Sequence, residues 1–537
     1  MKIVKSSPKF EGWLPAALLF FLVLLSVSPM PTALHAQTLL KQVNLIYQGA
    51  FRLPRGKFGQ SSFDYGGSAL AYNPANDSLF IVGHDHQQMV AEISIPTIVN
   101  SSQLSQLTTA RVLHSFVDAT EGKMSTVDSG TIKVGGLMVY QGKLYLTAYT
   151  YYDADVNQRL SHFSRPLNLS VKSQVSGPFQ VGNLNAGYVS GYMTPIPQAW
   201  QASLGGPAIT GNCCIPIISR TSSGPSAFAL NPTDLGKTNP VPNTPLLYYS
   251  QTHPTLGTYS GTGPYFNGAT QIRGLVFPEG TNSVLYFGRH GVGSYCYGTG
   301  ANCNDPANDY QGTHAYPYVY QVWAFNAQDL QAVKNGQKNP WDVVPYAVWN
   351  FELPFQEPAR RLGGVAYDPT TQRIFVAQSN AETYGMPIIH VWKVGGVTPN
   401  KQTRLQSAPT SLSVTDSAVL TWASGNADIA SSDLIEIERT DAGKPFVRIG
   451  SVEANVTSVE DSAALGSVCY RIRAVNQTSA SDYSNTACAL VTEGADVVIT
   501  LENGVVPQLK RRTNDVSNRV EITVGKSATV IINGKVQ

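Results

Sequence analysis

An all-β protein assembled from repeated four-stranded units is the fold class this chain predicts, and three observations carry it. Residues 66–96, GGSALAYNPANDSLFIVGHDHQQMVAEISIP, contain three short β-runs, SALAY, SLFIVG and MVAEISI. Turn chemistry separates them: Asn73-Pro74 and Asn76-Asp77 at the first turn, the polar knot GHDHQQ at the second. Looser versions of this unit recur along the chain. The composition agrees, since 47 Gly, 33 Pro and 26 Tyr with only 13% charged residues suit a β-rich extracellular protein with many turns.

In chain order, the first unit is completed by ARVLHSFVDA at 110–119. The second reads GGLMVY, KLYLTAY, LSHFSRPLNL and VSGPFQVG. The third begins with AGYVSGYMTPIP, passes a short helix at QAWQASLG, and continues through PAITGN, SAFALNPTDL and PLLYYSQT. The fourth has IRGLVFPEG, SVLYFGRHG, YVYQVWAFNAQDL and YAVWNFELP. The fifth has RLGGVAYDP, QRIFVAQS and IIHVWKV, then stops without an outer strand. NLIYQGAFRLP at 44–54 matches the outer-strand type of WNFELP and supplies the missing piece. Residues 38–395 therefore read as a five-bladed β-propeller closed by an N-terminal outer strand. A β-sandwich, or a six-bladed ring with one blade misread, is the competing arrangement.

Residues 1–36 read as a secretory signal: Lys2, Lys5 and Lys9 precede an apolar run, and Leu34-His35-Ala36 offers a small residue at the cut. The alternative is an uncleaved anchor, which Pro29 and Pro31 and the shortness of the run disfavour. No later segment is long and apolar enough to cross a bilayer. Without the signal the chain is near neutral, which argues against nucleic acid or an anionic membrane as partner. The expected location is secreted, periplasmic or cell-surface, and the expected state a monomer. Six cysteines in an exported chain are expected to be oxidised. Local spacing favours Cys469–Cys488, Cys296–Cys303 and the adjacent Cys213–Cys214, and a rival pairing crosses 213/214 with 296/303.

After a linker at 396–406, residues 407–492 carry Ala408-Pro409, Leu420-Thr421-Trp422 and the run Cys469 to Asn476, CYRIRAVN. This stretch resembles a fibronectin type III module, which implies a β-sandwich acting as spacer or docking unit. Cys469 with Cys488 is a pair that family does not need. Trp422 and Tyr470 are expected in its core. Residues 493–537, with the basic cluster Lys510-Arg511-Arg512, read as a small C-terminal β unit.

In a propeller the loops joining second to third strands, and outer strands to the next blade, emerge on one face. The first set carries His84-Asp85-His86; Tyr149, Tyr151, Tyr152 and Asp153; Cys213-Cys214 and Arg220; Arg289-His290 and His314; and Asn380, Glu382 and Tyr384. The second set adds Asp64-Tyr65, Asp128, His253, and Glu357 with Arg360-Arg361. Arginine can hold a carboxylate in bidentate fashion, and histidine can move a proton near neutral pH. A bonded Cys213-Cys214 would form a flat apolar platform, and Tyr65, Tyr151 and Tyr152 could stack on a sugar. His84, His86 and His290 could ligate a metal, although a hydrogen-bonded turn explains the first two equally well. No cofactor is called for, and a structural or catalytic metal is left open. There is no G-x-S-x-G elbow, P-loop, H-E-x-x-H or dinucleotide fingerprint.

The architecture resembles that of five-bladed glycan-active propellers, which implies a carbohydrate or other extracellular small ligand. A glycoside hydrolase would use two of Asp64, Asp128 and Glu382. A polysaccharide lyase would use Arg289 to neutralise a uronate, with His84, His290 or a tyrosine taking the proton. Arg360 and Arg361 would assist binding. A non-catalytic glycan-binding or adhesion protein is the alternative, and a metal-assisted enzyme a third.

Overall fold

The computed structural model describes residues 38–215, 221–355, 357–396, 408–423, 434–441, 444–453, 456–475, 480–491, 508–510 and 521–523. The expected signal segment, Arg220, nearly all of the linker and most of the C-terminal tail lie outside the described residues. The chain is all-β, with many antiparallel sheets.

Five of those sheets have four strands each and follow the repeats. The first comprises Leu70–Asn73, Ser78–Val82, Val90–Ser94 and Val112–Val117 in spatial order. The second runs Ile132–Tyr140, Lys143–Thr150, His162–Pro166 and Ser176–Phe179. The third runs Met193–Pro195, Ala208–Thr210, Ala227–Leu230 and Asn243–Leu247, with the expected helix at Gln198–Leu204. The fourth runs Gln271–Val276, Ser283–Gly291, Tyr318–Asn326 and Ala347–Phe351. The fifth runs Leu362–Asp368, Arg373–Glu382 and Met386–Val394. Its outer strand is Leu45–Arg52, antiparallel to Met386–Val394 with Ala50 opposite His390. No sheet closes on itself among the described residues.

The first strands of these sheets are buried on both sides and lie against one another. Sheet one meets two, two meets three, three meets four, four meets five, and five meets one. Paired glycines permit the approach. A Cβ at Gly135 would sit 1.9 Å from the Ser190 oxygen, and one at Gly363 would sit 2.0 Å from the Gly67 oxygen. The GG that opens several repeats is thus a packing requirement. Apolar side chains such as Phe80, Leu146, Phe228, Trp323 and Phe375 fill the layers around these strands, with almost no exposure.

One expectation fails. YVYQVWAFNAQDL is not strand throughout: the strand ends at Asn326, whose side chain accepts the Gln328 N–H at 3.0 Å and caps a helix over Ala327–Lys334. The three disulfides are the local ones, Cys213–Cys214, Cys296–Cys303 and Cys469–Cys488, so the crossed pairing is excluded.

The described residues between 408 and 491 form a three-stranded sheet and a four-stranded sheet around Leu412, Leu420, Trp422, Ile437, Tyr470 and Ile472. Trp422 and Tyr470 are both buried there, and the Tyr470 hydroxyl donates to Asp461 at 3.0 Å. In the tail, Gln508–Lys510 pairs antiparallel with Glu521–Thr523.

Candidate functional site

A basin opens where the second strands end and their loops begin. Its charged lining is three guanidiniums, Arg273, Arg289 and Arg361. Arg289 lies near the end of the strand Ser283–Gly291 and is only 2% exposed. Its Nη1 donates to the Ala359 oxygen at 2.8 Å, its Nη2 reaches the Tyr310 hydroxyl at 3.5 Å, and its Nε is buried without a partner. Among the described residues no carboxylate pairs with it. A guanidinium withdrawn from water normally requires such a partner.

Arg273 projects from the inner strand Gln271–Val276 at a bulge between Ile272 and Gly274. The buried Tyr149 hydroxyl feels its charge: burial raises that phenol's pKa, and Arg273 opposes the rise. Arg361 is held by Glu357 at 3.3 Å and by Asn308. Aromatic walls come from Tyr151, Tyr259, Tyr297 and Tyr310. Tyr151 carries Lys133 over its ring at 5.0 Å, and Lys133 is ion-paired with Asp85. Burial raises the Tyr151 pKa, with the Arg273 charge opposing.

Part of the floor is the adjacent disulfide. Cys213 is fully buried, whereas Cys214, at φ 66°, faces the basin. The wall opposite is the long loop of the fourth sheet, tied by Cys296–Cys303 and the hairpin Cys296–Gly298 with Gly312–His314. Asp305 organises that loop by accepting from His314 Nδ1 at 2.8 Å, Tyr318 at 2.5 Å and Asn308 at 2.9 Å. Burial works against the Asp305 anion, but these donors prevail and hold its pKa at about 2.

Of the residues singled out in the sequence, Tyr151, Cys214, Arg289 and Arg361 meet in the basin. Asp64, Tyr65 and His84 line a separate cleft with Arg55 and Tyr384. The His84 ring stands edge-on to Tyr65 at 5.8 Å and lies 5.5 Å from the His86 ring. Among the described residues no third ligand joins them, and no group of three metal-ligating side chains occurs.

The others are placed elsewhere. His290, next to Arg289, points to the opposite side of its strand and is buried. Its Nδ1 bonds Thr270 Oγ1 and its Nε2 bonds the Gly263 oxygen, both at 2.9 Å. Burial lowers its pKa to about 4, against the carbonyl bond, so it is neutral and both nitrogens are occupied. Glu382 is gripped by Arg52 and Arg55. Burial disfavours its anion, but those hydrogen bonds and charges outweigh burial and lower its pKa. Asp128 accepts from Thr150 at 3.0 Å, Arg360 pairs with Glu352 at 3.0 Å, and Tyr152 is exposed without lining the basin. Asp128 and Glu382 line neither the basin nor the cleft that holds Asp64.

Sequence reasoning missed Arg273, Tyr259, Tyr297 and Tyr310. A lone charge in the otherwise apolar IRGLVF was the available signal for Arg273. The tyrosines had none, because tyrosine is common throughout the chain.

No protein family model and no curated protein matches the chain. Solved structures give weak likenesses. One is the extracellular domain of a one-component system from B. thetaiotaomicron, at 9% identity over 79% of this chain and 44% of that one, with TM-score 0.21. A Fn3-like protein from Clostridium thermocellum matches at 21% identity over 17% of this chain and 97% of that one, with TM-score 0.14. Titin kinase with its flanking domains matches at 19% identity and TM-score 0.14, over 17% of this chain and only 18% of that one.

Proposed function

We propose that this chain is a secreted five-bladed β-propeller, followed by a fibronectin type III-like module, whose basic, tyrosine-lined basin binds an acidic carbohydrate and cleaves it as a polysaccharide lyase. The cyclic contacts among five first strands support the ring, and three disulfides support export. The observation that carries the ligand class is Arg289: a buried guanidinium without a carboxylate partner, accompanied by Arg273 and Arg361. A uronate carboxylate would supply the missing anion and accept bidentate hydrogen bonds. Tyrosine faces and the Cys213–Cys214 ring suit the apolar faces of a sugar.

In lyase chemistry the neutralised carboxylate acidifies the neighbouring C5–H. That bond breaks, its proton passes to a basin tyrosinate, and the electron pair forms a C4=C5 double bond. The C4–O4 bond breaks and the leaving oxygen takes a proton. Tyr310, whose hydroxyl reaches Arg289, is the candidate base, and Tyr151, kept protonated by burial, the candidate donor to the leaving oxygen. The hydrolase alternative lacks a carboxylate pair in the basin.

A non-catalytic binder is the second reading, favoured by the occupied nitrogens of His290 and the absence of carboxylates among the basin-lining residues. Incubating purified protein with polygalacturonate, alginate and a neutral glucan distinguishes these outcomes. Ultraviolet absorbance of an unsaturated uronate, lost in Arg289→Ala, is the expected result. Binding to a polyuronate without absorbance selects the binder, and no preference over the neutral glucan sinks both.

A further inference from the structure

The five first strands enclose a space distinct from the basin. Leu70, Leu137, Met193, Leu275 and Val365, one from each first strand, line an apolar cavity. The strand Gln271–Val276 joins the two, since Gln271 and Arg273 line the basin while Leu275 lines the cavity. The basin's chemistry makes no use of this space.

One charged side chain lines the cavity. Glu279, just past that inner strand, is 6% exposed. Among the described residues its carboxylate accepts no hydrogen bond and pairs with no cation. The Tyr367 hydroxyl accepts from the Glu279 backbone N–H at 3.1 Å and donates to Gln372 at 2.6 Å. No lysine, arginine or histidine is in the lining.

We propose that the chain carries a second ligand site in this cavity, which takes a small apolar molecule bearing an ammonium group, with the ammonium against Glu279. The apolar walls supply binding through burial of hydrocarbon. A purely hydrocarbon ligand would leave the carboxyl without a partner, and an anionic ligand would be repelled by it. An ammonium group provides both the charge and the hydrogen-bond donors that the site lacks. Burial pushes the Glu279 carboxyl up to about 7, as expected for an acid facing apolar walls with no cation beside it.

The test is isothermal titration of the full chain with benzylamine and with its neutral counterpart benzyl alcohol, at about pH 8 where both Glu279 and the amine are charged. The amine is expected to bind at least about tenfold more tightly than the alcohol. Glu279→Gln should bring the amine down to the level of the alcohol, and Met193→Phe should weaken both by filling the cavity. Equal affinity for the two probes, a preference that survives Glu279→Gln, or no binding of either probe to folded protein would each overturn the proposal. Should Met193→Phe fail to fold, the comparison of wild type with Glu279→Gln decides alone.

Discussion

The Arg289 guanidinium carbon stands 4.6 Å from the centroid of the Tyr318 ring, so the basin's most buried cation is seated on an aromatic face. The same Tyr318 donates its hydroxyl to Asp305, which ties the guanidinium's seat to the loop that walls the basin. This contact holds the arginine in place without neutralising it, as a carboxylate would.

Replacing Arg289 should therefore cost affinity more than fold. Arg289→Ala is expected to weaken polyuronate binding roughly tenfold to a hundredfold, the range of a lost charge-assisted hydrogen bond. Arg289→Lys should recover only part of it, because a point charge cannot reproduce the bidentate fork. Affinity measured at two salt concentrations checks this, since loss of an anion contact should also flatten the salt dependence.

The adjacent disulfide and the one in the C-terminal module should behave oppositely. Cys213–Cys214 has a sequence separation of 1 and closes no chain loop, so Cys213→Ala/Cys214→Ala should barely move the melting temperature while weakening ligand binding at the basin floor. Cys469–Cys488, with a separation of 19, constrains the unfolded chain, and removing it should destabilise the module by about 3 kcal/mol. Calorimetry of the two double variants, paired with glycan titration, separates the effects.

Acid should destabilise the protein from near neutrality. Burial lowers the pKa of His290 to about 4 and of His162 and His390 to about 3, from the ordinary 6.5. Unfolding restores their basicity, so their contribution is full above pH 6.5 and is lost as pH falls towards the folded values. Proton uptake on unfolding should rise towards about three in that window, in addition to any uptake by carboxylates. Glu382, with its pKa lowered from 4.5, adds a further loss below that value, which Glu382→Gln should remove. The denaturation midpoint followed against pH measures both.

Glu279 acts with the opposite sign. Burial raises its folded pKa to about 7, above the ordinary 4.5, so the protonated form favours the folded state. Stability from this residue is present below pH 4.5 and is lost as pH rises through 7. Glu279→Gln should leave the midpoint nearly unchanged in mild acid and raise it in mild alkali.

The sheets were legible because each strand is short, apolar and bounded by turn residues. The strand Ser78–Val82 needs little more than SLFIV between Asn76-Asp77 and Gly83. The outer strand Leu45–Arg52 was legible by its likeness to WNFELP. The helix after Asn326 was not, because its cap depends on a single side chain turning back on the backbone. At the site, Arg289 was found by its loop, but its neighbour His290 was misjudged. Adjacent residues on a strand point to opposite faces, and which face is buried depends on partners distant in sequence, such as Thr270 and Gly263. Arg273 was hidden for a related reason: only the bulge at Ile272/Gly274 re-aims it.

Because the outer strand of the fifth sheet is Leu45–Arg52, the edge of Met386–Val394 has no covalent neighbour in sequence to cover it. During synthesis the covering strand emerges from the ribosome well before the edge it must cover. Its other side bonds Val99 and Thr108, made soon after it, but the pairing with Met386–Val394 waits for the rest of that sheet, and such late, non-local pairing is a slow kind of step. A single hydrogen-bonded seam then joins the start of the β-array to its end.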